Sequence, residues 1–230
     1  MTQPTPISRV RVRGGTPDPD LGRLEAVESD AEAEAVVAVG ADAIADQALA
    51  DASAPILPVG IDDRYGTPRD ALAVAADALA AGDYRSVSHP VLEVSVEGEQ
   101  VARGVFDVTL MTSEPARISE YALDAAAERL FEVRADGVVV STPLGSAGYG
   151  RAAGGPVIAP GAGLSVVPVS PFSTRASPWV VPGPLSLSVE RDEGAVSLYV
   201  DGAEEAQIAP GEPVAVERVG TVTCLRPLTE

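Results

Sequence analysis

Between Arg134 and Gly155 the chain reads Arg-Ala-Asp-Gly-Val-Val-Val-Ser-Thr-Pro-Leu-Gly-Ser-Ala-Gly-Tyr-Gly-Arg-Ala-Ala-Gly-Gly. The apolar triplet 138–140 stands between an Asp-Gly turn and a run of Ser, Thr, Pro and Gly. This predicts a short buried strand that delivers its end into a tight polar loop. Gly145, Gly148, Gly150, Gly154 and Gly155 omit the Cβ atoms that hold a ligand away from the backbone. The loop amides, with the hydroxyls of Ser141, Thr142 and Ser146, are donors suited to phosphate or ribose oxygens. Arg134, Asp136 and Arg151 bracket the loop with charge. Taken by spacing alone, the glycines also fit ordinary turns.

A second position with chemical potential is Asp42. Residues 36–39 read as a buried strand, 42–50 have helical composition, and 56–59 read as another strand. Two strands joined through a helix imply a parallel βαβ crossover, with ligands expected beyond the carboxyl end of the first strand. Gly40 and Asp42 fall there. The carboxylate of Asp42 is either a proton acceptor facing a ligand or the N-cap of the helix, a role Asp fills without catalysis.

The order Asp-Gly-Val-Val-Val-Ser-Thr-Pro-Leu-Gly-Ser-Ala-Gly-Tyr, followed by Ala-Gly-Gly-Pro-Val-Ile, resembles the substrate loop of the NAD kinase family. There Asp-Gly, a short strand, Ser-Thr-Pro-Thr-Gly-Ser-Thr-Ala-Tyr and Gly-Gly-Pro follow in the same sequence. The chain departs from it at Leu144, Ala147 and Gly148, and it resembles a divergent, haloarchaeal-type member. Gly40-Ala41-Asp42-Ala43-Ile44 stands where the family has Gly-Gly-Asp-Gly-Thr, whose Asp is the proposed base for the adenosine ribose 2′-hydroxyl of NAD. Pro58-Val59-Gly60-Ile61-Asp62 resembles the next strand and its Gly-Ile-Asn, and Phe106-Asp107 takes the place of an Asn-Glu pair. The late Asp201-Gly202 matches the family's Asp-Gly hairpin and also reads as a plain turn.

The resemblance implies phosphorylation of NAD by ATP, with Mg²⁺ or another divalent ion accompanying the donor and no resident metal site. Asp42 would be the base. NAD would be held by Ala43, Asp62, Asp107, Arg134, Asp136, Ser141, Thr142, Ser146, Ala147, Gly148, Tyr149, Arg151 and Ala152. A noncatalytic paralogue, which binds a dinucleotide or regulates a true kinase subunit, is the alternative motivated by Ala41, Ala43, Ile44 and Phe106. A homo-oligomer is expected in either case.

The elements that must position these residues fall into two groups. Ile7, Val10 and Val12 alternate with polar residues as in a half-buried strand, and 14–22 reads as a loop. Thr67-Pro68-Arg69-Asp70 predicts a helix opening with a Thr67 cap, followed by an apolar stripe of Leu72, Ala75, Ala76 and Leu79 up to Gly82. Beyond it the period becomes two, with β-type runs at 91–96, 101–110, 118–123, 138–141, 164–169, 185–189, 196–200 and 214–219. The fold expected is an abbreviated α/β domain over 1–84 and an all-β domain over 85–230. The resemblance implies stacked sheets in the second, a last strand returning to the first domain, and a site in the cleft between them. His89, beside Pro90, reads as a polar turn residue.

Composition narrows the partners. The chain has 230 residues, of which 46% are hydrophobic, enough for a substantial core. Its net charge is -18, from 34 acidic residues against 16 basic ones, and every basic residue is Arg. A lysine-free acidic surface suits a salt-loving organism, where carboxylates stay hydrated and their repulsion is screened. It disfavours nucleic acid and anionic membrane as partners. Residues 1–6 lack the character of a signal peptide and no apolar run is long enough to span a bilayer, so a cytoplasmic location is expected. Cys224 is the only cysteine and reads as a small buried hydrophobe.

Overall fold

Valine and alanine runs with no polar alternation need cover on both faces, and the first unit of the fold supplies it. The computed structural model describes residues 4–15, 19–50, 54–62, 64–114, 117–174, 176–192 and 194–228. Parts of the N-terminal segment and of the expected 14–22 loop therefore lie outside the described residues. The chain forms two compact units, residues 1–89 with 221–230, and residues 90–220.

The first unit begins with β1 (Arg9–Gly14), β2 (Glu25–Ala26), β3 (Ala35–Val39), α1 (Ala41–Leu49) and β4 (Ile56–Val59). A single 3-10 turn, Arg69–Ala71, then leads into α2 (Leu72–Ala81), and β5 (Tyr84–Val96) starts in this unit and continues from Pro90 in the second. The strands lie in the order β2, β1, β3, β4, and every pair is parallel. All five residues of β3 are buried. On α2, Leu72, Ala75, Ala76 and Leu79 form the buried stripe, and Gly82 ends the helix in the left-handed conformation, φ 77°. This helix starts later than its sequence suggests. Thr67 caps nothing: it bridges Val59 in parallel, Pro68 precedes the 3-10 turn, and α2 proper begins at Leu72.

His89 is also not a turn residue. It lies within β5 at 1% exposure, with its ring edge-on to Tyr65 at 5.4 Å between centroids. An imidazole can fill a core position when it stays neutral, and burial lowers its pKa to about 4, assisted by the charge of Arg226.

The second unit is all β apart from one short helix. It contains β6 (Glu99–Gly104), β7 (Asp107–Thr112), β8 (Ser119–Ala125), β9 (Glu128–Ala135), β10 (Gly137–Ser141), α3 (Tyr149–Ala152), β11 (Leu164–Val169), β12 (Trp179–Val181), β13 (Leu185–Arg191), β14 (Val196–Val200) and β15 (Ala203–Ile208). The long β16 (Val214–Pro227) begins in this unit and ends in the first, where Cys224 pairs in parallel with Ile56.

One antiparallel sheet runs β12, β11, β10, β7, β14, β15. The other carries β16, β13, β8 and β9, with the β5–β6 hairpin pairing onto β16. Leu110, Val140, Val166 and Leu198 from the first sheet share one core with Tyr121, Leu123, Leu187 and Val216 from the second. The continuous 101–110 run splits into two strands at Val105 and Phe106. Strands β9, β12 and β15 escape the period-two reading because they are sheet edges: β9 and β15 are rich in Glu, and β12 spans only three residues.

Candidate functional site

In the second unit the site is built by register. Ser141 on β10 stands opposite Asp107 on β7 and, on its other side, opposite Ser165 on β11. Side chains alternate across a strand. Because Val108, Val140 and Val166 point into the sandwich core, Asp107, Ser141 and Ser165 share the outer face as one polar row. Both serine hydroxyls are buried and neither has a hydrogen-bond partner.

The glycine-rich loop folds back over that row. A Cβ on Gly150 would lie 2.5 Å from Ser141 Oγ, and one on Gly155 would lie 2.5 Å from Val167 Cγ2. Bare backbone at these two places lets α3 lie directly on the sheet. The loop is also fastened from within. Thr142 Oγ1 donates to the Val105 carbonyl at 2.6 Å and accepts from the Gly145 amide at 3.2 Å. Ser146 Oγ donates to the Pro143 carbonyl at 2.9 Å and accepts from the Ile158 amide at 3.1 Å. These two hydroxyls were expected to face a ligand's oxygens, yet they are buried and hold the loop's own backbone in shape. Ala147 is half-buried, while Gly148, Tyr149, Arg151 and Ala152 are exposed.

A residue left as a plain turn by its sequence anchors the other side. Asp201 and Gly202, with φ of 50° and 87°, form the tight hairpin turn between β14 and β15. The Asp201 carboxylate reaches past the turn and accepts the amides of Val105, Phe106 and Asp107 at 2.8, 2.8 and 3.0 Å. Three donors stabilise its charged form, but burial outweighs them and raises its pKa. Nothing local in the sequence connects positions this far apart. The Phe106 carbonyl accepts the Thr142 amide at 2.9 Å, so its backbone ties the loop to the start of β7.

The electrostatics follow from this packing. Burial pushes the Asp107 carboxyl up to about 6, helped by the Asp201 charge and opposed by a hydrogen bond from Thr109. Tyr149 has its hydroxyl pKa raised by burial and then by the charges of Asp107 and Asp136, which brings all three into one field. Asp136 is locked by its backbone: its amide donates to the Val169 carbonyl and its carbonyl accepts the Thr112 amide and the Tyr121 hydroxyl. Arg134 lies on β9 opposite Glu120, and its carbonyl accepts the Phe172 amide. Ser141 and Ser165 are sealed beneath the loop, whereas the half-buried Asp107 carboxyl and the exposed Tyr149 phenol can hydrogen-bond a polyhydroxyl ligand such as a ribose.

In the first unit, Asp42 is the second residue of α1 and not its cap. Gly40 occupies the N-cap position at φ 95°, a backbone that a side chain rarely adopts, and no side chain caps the helix. Asp42 is exposed and sits in the first helical turn, where the helix dipole favours a negative charge. Ala43 is half-buried in the same turn, and Ile44 is wholly buried. Asp42 and Ala43 line a cleft of about 530 Å³ together with Arg11, Arg13, Asp46 and Gln47. A separate cleft of about 390 Å³, at the carboxyl ends of β3 and β4, is lined by Val39, Val59, Arg69 and Asp70 among others. Asp62 caps its own turn, accepting the Arg64 amide at 3.0 Å. Among the described residues no group of three or more His, Cys, Asp or Glu is placed to hold a metal. No helix of the described residues is long and apolar enough to cross a membrane.

Comparison with known proteins places these features. A family model, the ATP-NAD kinase C-terminal domain, matches residues 106–222. An NAD kinase of Methanosarcina mazei is 31% identical over 201 residues, covering 82% of this chain and 68% of the relative. An NAD kinase of Leifsonia xyli is 33% identical over 218 residues, covering 87% and 72%. The fold is similar to that of yeast NADH kinase complexed with NADH, with a TM-score of 0.74 at 14% identity, covering 96% of this chain and 84% of that one. It is also similar to an NAD kinase from Archaeoglobus fulgidus in complex with ATP, with a TM-score of 0.69 at 18% identity, covering 96% and 94%.

Proposed function

The chain belongs to the NAD kinase family, and on that premise we propose that it transfers the γ-phosphoryl group of Mg²⁺–ATP to the adenosine ribose 2′-hydroxyl of NAD, giving NADP and ADP. The observation that carries this reading is the half-buried Asp107 carboxyl, in one electrostatic field with the exposed Tyr149 of the glycine-rich loop, within the segment matched by the family model. In this reading NAD binds along residues 141–152, with Asp107, Tyr149 and Asp136 taking its hydroxyl and amide groups. Asp42 is the base. Its carboxylate accepts the 2′-hydroxyl proton as the oxygen bonds to the γ-phosphorus and the bond to the ADP oxygen breaks.

Positioning and charge neutralisation dominate such a transfer. The chain has no Lys to supply the charge, so Arg and the donor's Mg²⁺ do so. The protein acts as a homo-oligomer in a salt-rich cytoplasm. Changes from the family pattern at Ala41 and Ala43 are compatible with the helix, since both lie in the first turn of α1, where Ala is well tolerated.

The test is the Asp42→Asn variant in a salt-adjusted kinase assay. Loss of the proton acceptor lowers kcat by about a hundredfold or more, the usual scale of general-base catalysis, with little change in NAD affinity. A parent protein that binds NAD without forming NADP, and is unaltered by this substitution, is instead the noncatalytic paralogue.

A further inference from the structure

A phosphoryl donor brings several negative charges to a chain of net charge -18 that has no Lys to receive them. Most guanidinium groups of the first unit near its glycine turns are already engaged. Arg11 and Arg13 share Asp30 at 3.2 and 2.8 Å, Arg23 pairs with Asp77 at 3.2 Å, and Arg64 lies 3.9 Å from Asp62. Arg69 differs: among the described residues it makes no ion pair, although Asp70 follows it directly and Asp20 lines the same cleft. Its side chain is exposed to solvent. An unpaired guanidinium has no carboxylate to give up before it accepts another anion.

The place where this side chain lies is built for it. Gly40 follows β3 and Gly60 follows β4, with φ of 95° and 76°. A Cβ on Gly60 would lie 2.8 Å from Arg69 Nε, and one on Gly40 would lie 3.9 Å from Arg69 Nη2. The guanidinium therefore spans the carboxyl ends of two parallel strands and rests on bare backbone. The platform beneath it is fixed, since the Gly40 amide donates to the Val59 carbonyl at 2.8 Å and the Gly60 amide to the Thr67 carbonyl at 2.9 Å. Ligands of open α/β sheets bind beyond such strand ends. Only Ala41 separates Gly40 from Asp42, so a group held here lies beside the turn that carries the proposed base.

We propose that Arg69 binds the phosphate oxygens of the phosphoryl donor, a nucleoside triphosphate, at the carboxyl ends of β3 and β4. The inference rests on the reading given above, in which NAD lies along residues 141–152 of the second unit and Asp42 is the base. The diphosphate of NAD then belongs to the second unit, and the free cation of the first is left for the donor. A guanidinium suits this task because its planar fork of N–H groups meets two phosphate oxygens at once. Salt sharpens the requirement. In molar KCl charges more than about 3 Å apart are screened, so affinity for the donor has to come from direct contact and not from the field of the chain.

Calorimetric binding of Mg²⁺–ATP and of Mg²⁺–tripolyphosphate to the full chain in molar KCl, with KM for ATP and for NAD, tests this directly. Arg69→Gln should weaken both ligands by about tenfold or more, the scale of a hydrogen bond to a charged group. The factor should be the same for the two, because tripolyphosphate keeps the donor's phosphates and lacks its adenosine. KM for ATP should rise in step while KM for NAD stays put. Arg69→Lys should recover part of the loss, since an ammonium keeps the charge without the fork. Arg23→Gln, which removes the same charge from the pair with Asp77, should alter neither ligand, and melts check that each variant is folded. A parent protein that binds neither ligand would overturn the proposal. So would affinity unaltered by Arg69→Gln, a loss matched by Arg23→Gln, or an effect on NAD alone. A chain that binds both ligands through Arg69 yet forms no NADP upholds this site and removes the kinase reading. NADP formed with a KM for ATP indifferent to Arg69→Gln does the reverse.

Discussion

Asp107 and Asp201 crowd one corner of the second unit for different reasons, and their substitutions should separate. Folding raises the Asp107 pKa from its ordinary 3.8 to about 6. The folded protein thus holds this proton more tightly than the unfolded chain. The favourable contribution is complete below pH 4 and is lost as pH rises through 6. At neutral pH the ionised carboxyl costs up to about 2 kcal/mol, somewhat less than the shift alone implies because Asp107 keeps partial contact with water. Asp107→Asn should therefore raise the denaturation midpoint at pH 7.5, change it little at pH 4, and raise KM for NAD, as melts at the two pH values and initial rates would show. Asp201→Ala should behave oppositely. It strands three amides and should cost about 2–4 kcal/mol in urea unfolding at neutral pH. The milder Asp201→Asn should lower the Asp107 midpoint in an NMR titration, because the Asp201 charge contributes to raising it. Of these two residues, only Asp107 was legible as a site residue, through its place in a family motif. Asp201 looked like a turn because its Asp-Gly pair is one, and the reach of its carboxylate depends on a pairing that local sequence does not encode.

At the scale of elements, strands buried on both faces were the easiest to read. β3, β4, β10 and β11 are apolar runs bounded by glycine or serine, and they lie where their composition put them. The βαβ crossover followed from the same pattern, and so did the glycine ending of α2. What could not be read locally was register. The row of Asp107, Ser141 and Ser165 exists because three strands, far apart in sequence, align at one level. Helix starts were also misread: Gly40 and Pro68 use backbone conformation to enter the helical segments, where Asp42 and Thr67 offered side-chain caps. β5 hides a further surprise in His89, whose buried ring has its pKa lowered from 6.5 to about 4. In that window the unfolded chain takes up a proton that the folded one refuses, so stability falls as pH drops from 6.5 to 4, by about 3 kcal/mol. His89→Phe, which keeps an aromatic ring against Tyr65, should remove this part of the pH dependence in melts across that range. An unchanged slope would show that the imidazole is solvated.

For the whole molecule, charge and family membership make separate claims. A net charge of -18 without Lys means that folding concentrates carboxylates, and screening should relieve the repulsion. Thermal midpoints should therefore rise steadily from low to molar KCl, and flat or falling midpoints would contradict the salt-adapted reading. Membership rests on the matched segment and the relatives; the proposed catalysis rests on Asp42, which sits exposed at the start of α1 and is not needed as its cap. The most direct measurement is to incubate the full chain with NAD and Mg²⁺–ATP in molar KCl and to identify the product by mass and by reduction with an NADP-specific dehydrogenase. The account predicts NADP with the phosphate on the adenosine 2′-oxygen, formed about a hundredfold or more slowly by Asp42→Asn. NAD bound but never phosphorylated, or NADP formed equally fast by Asp42→Asn, would contradict it.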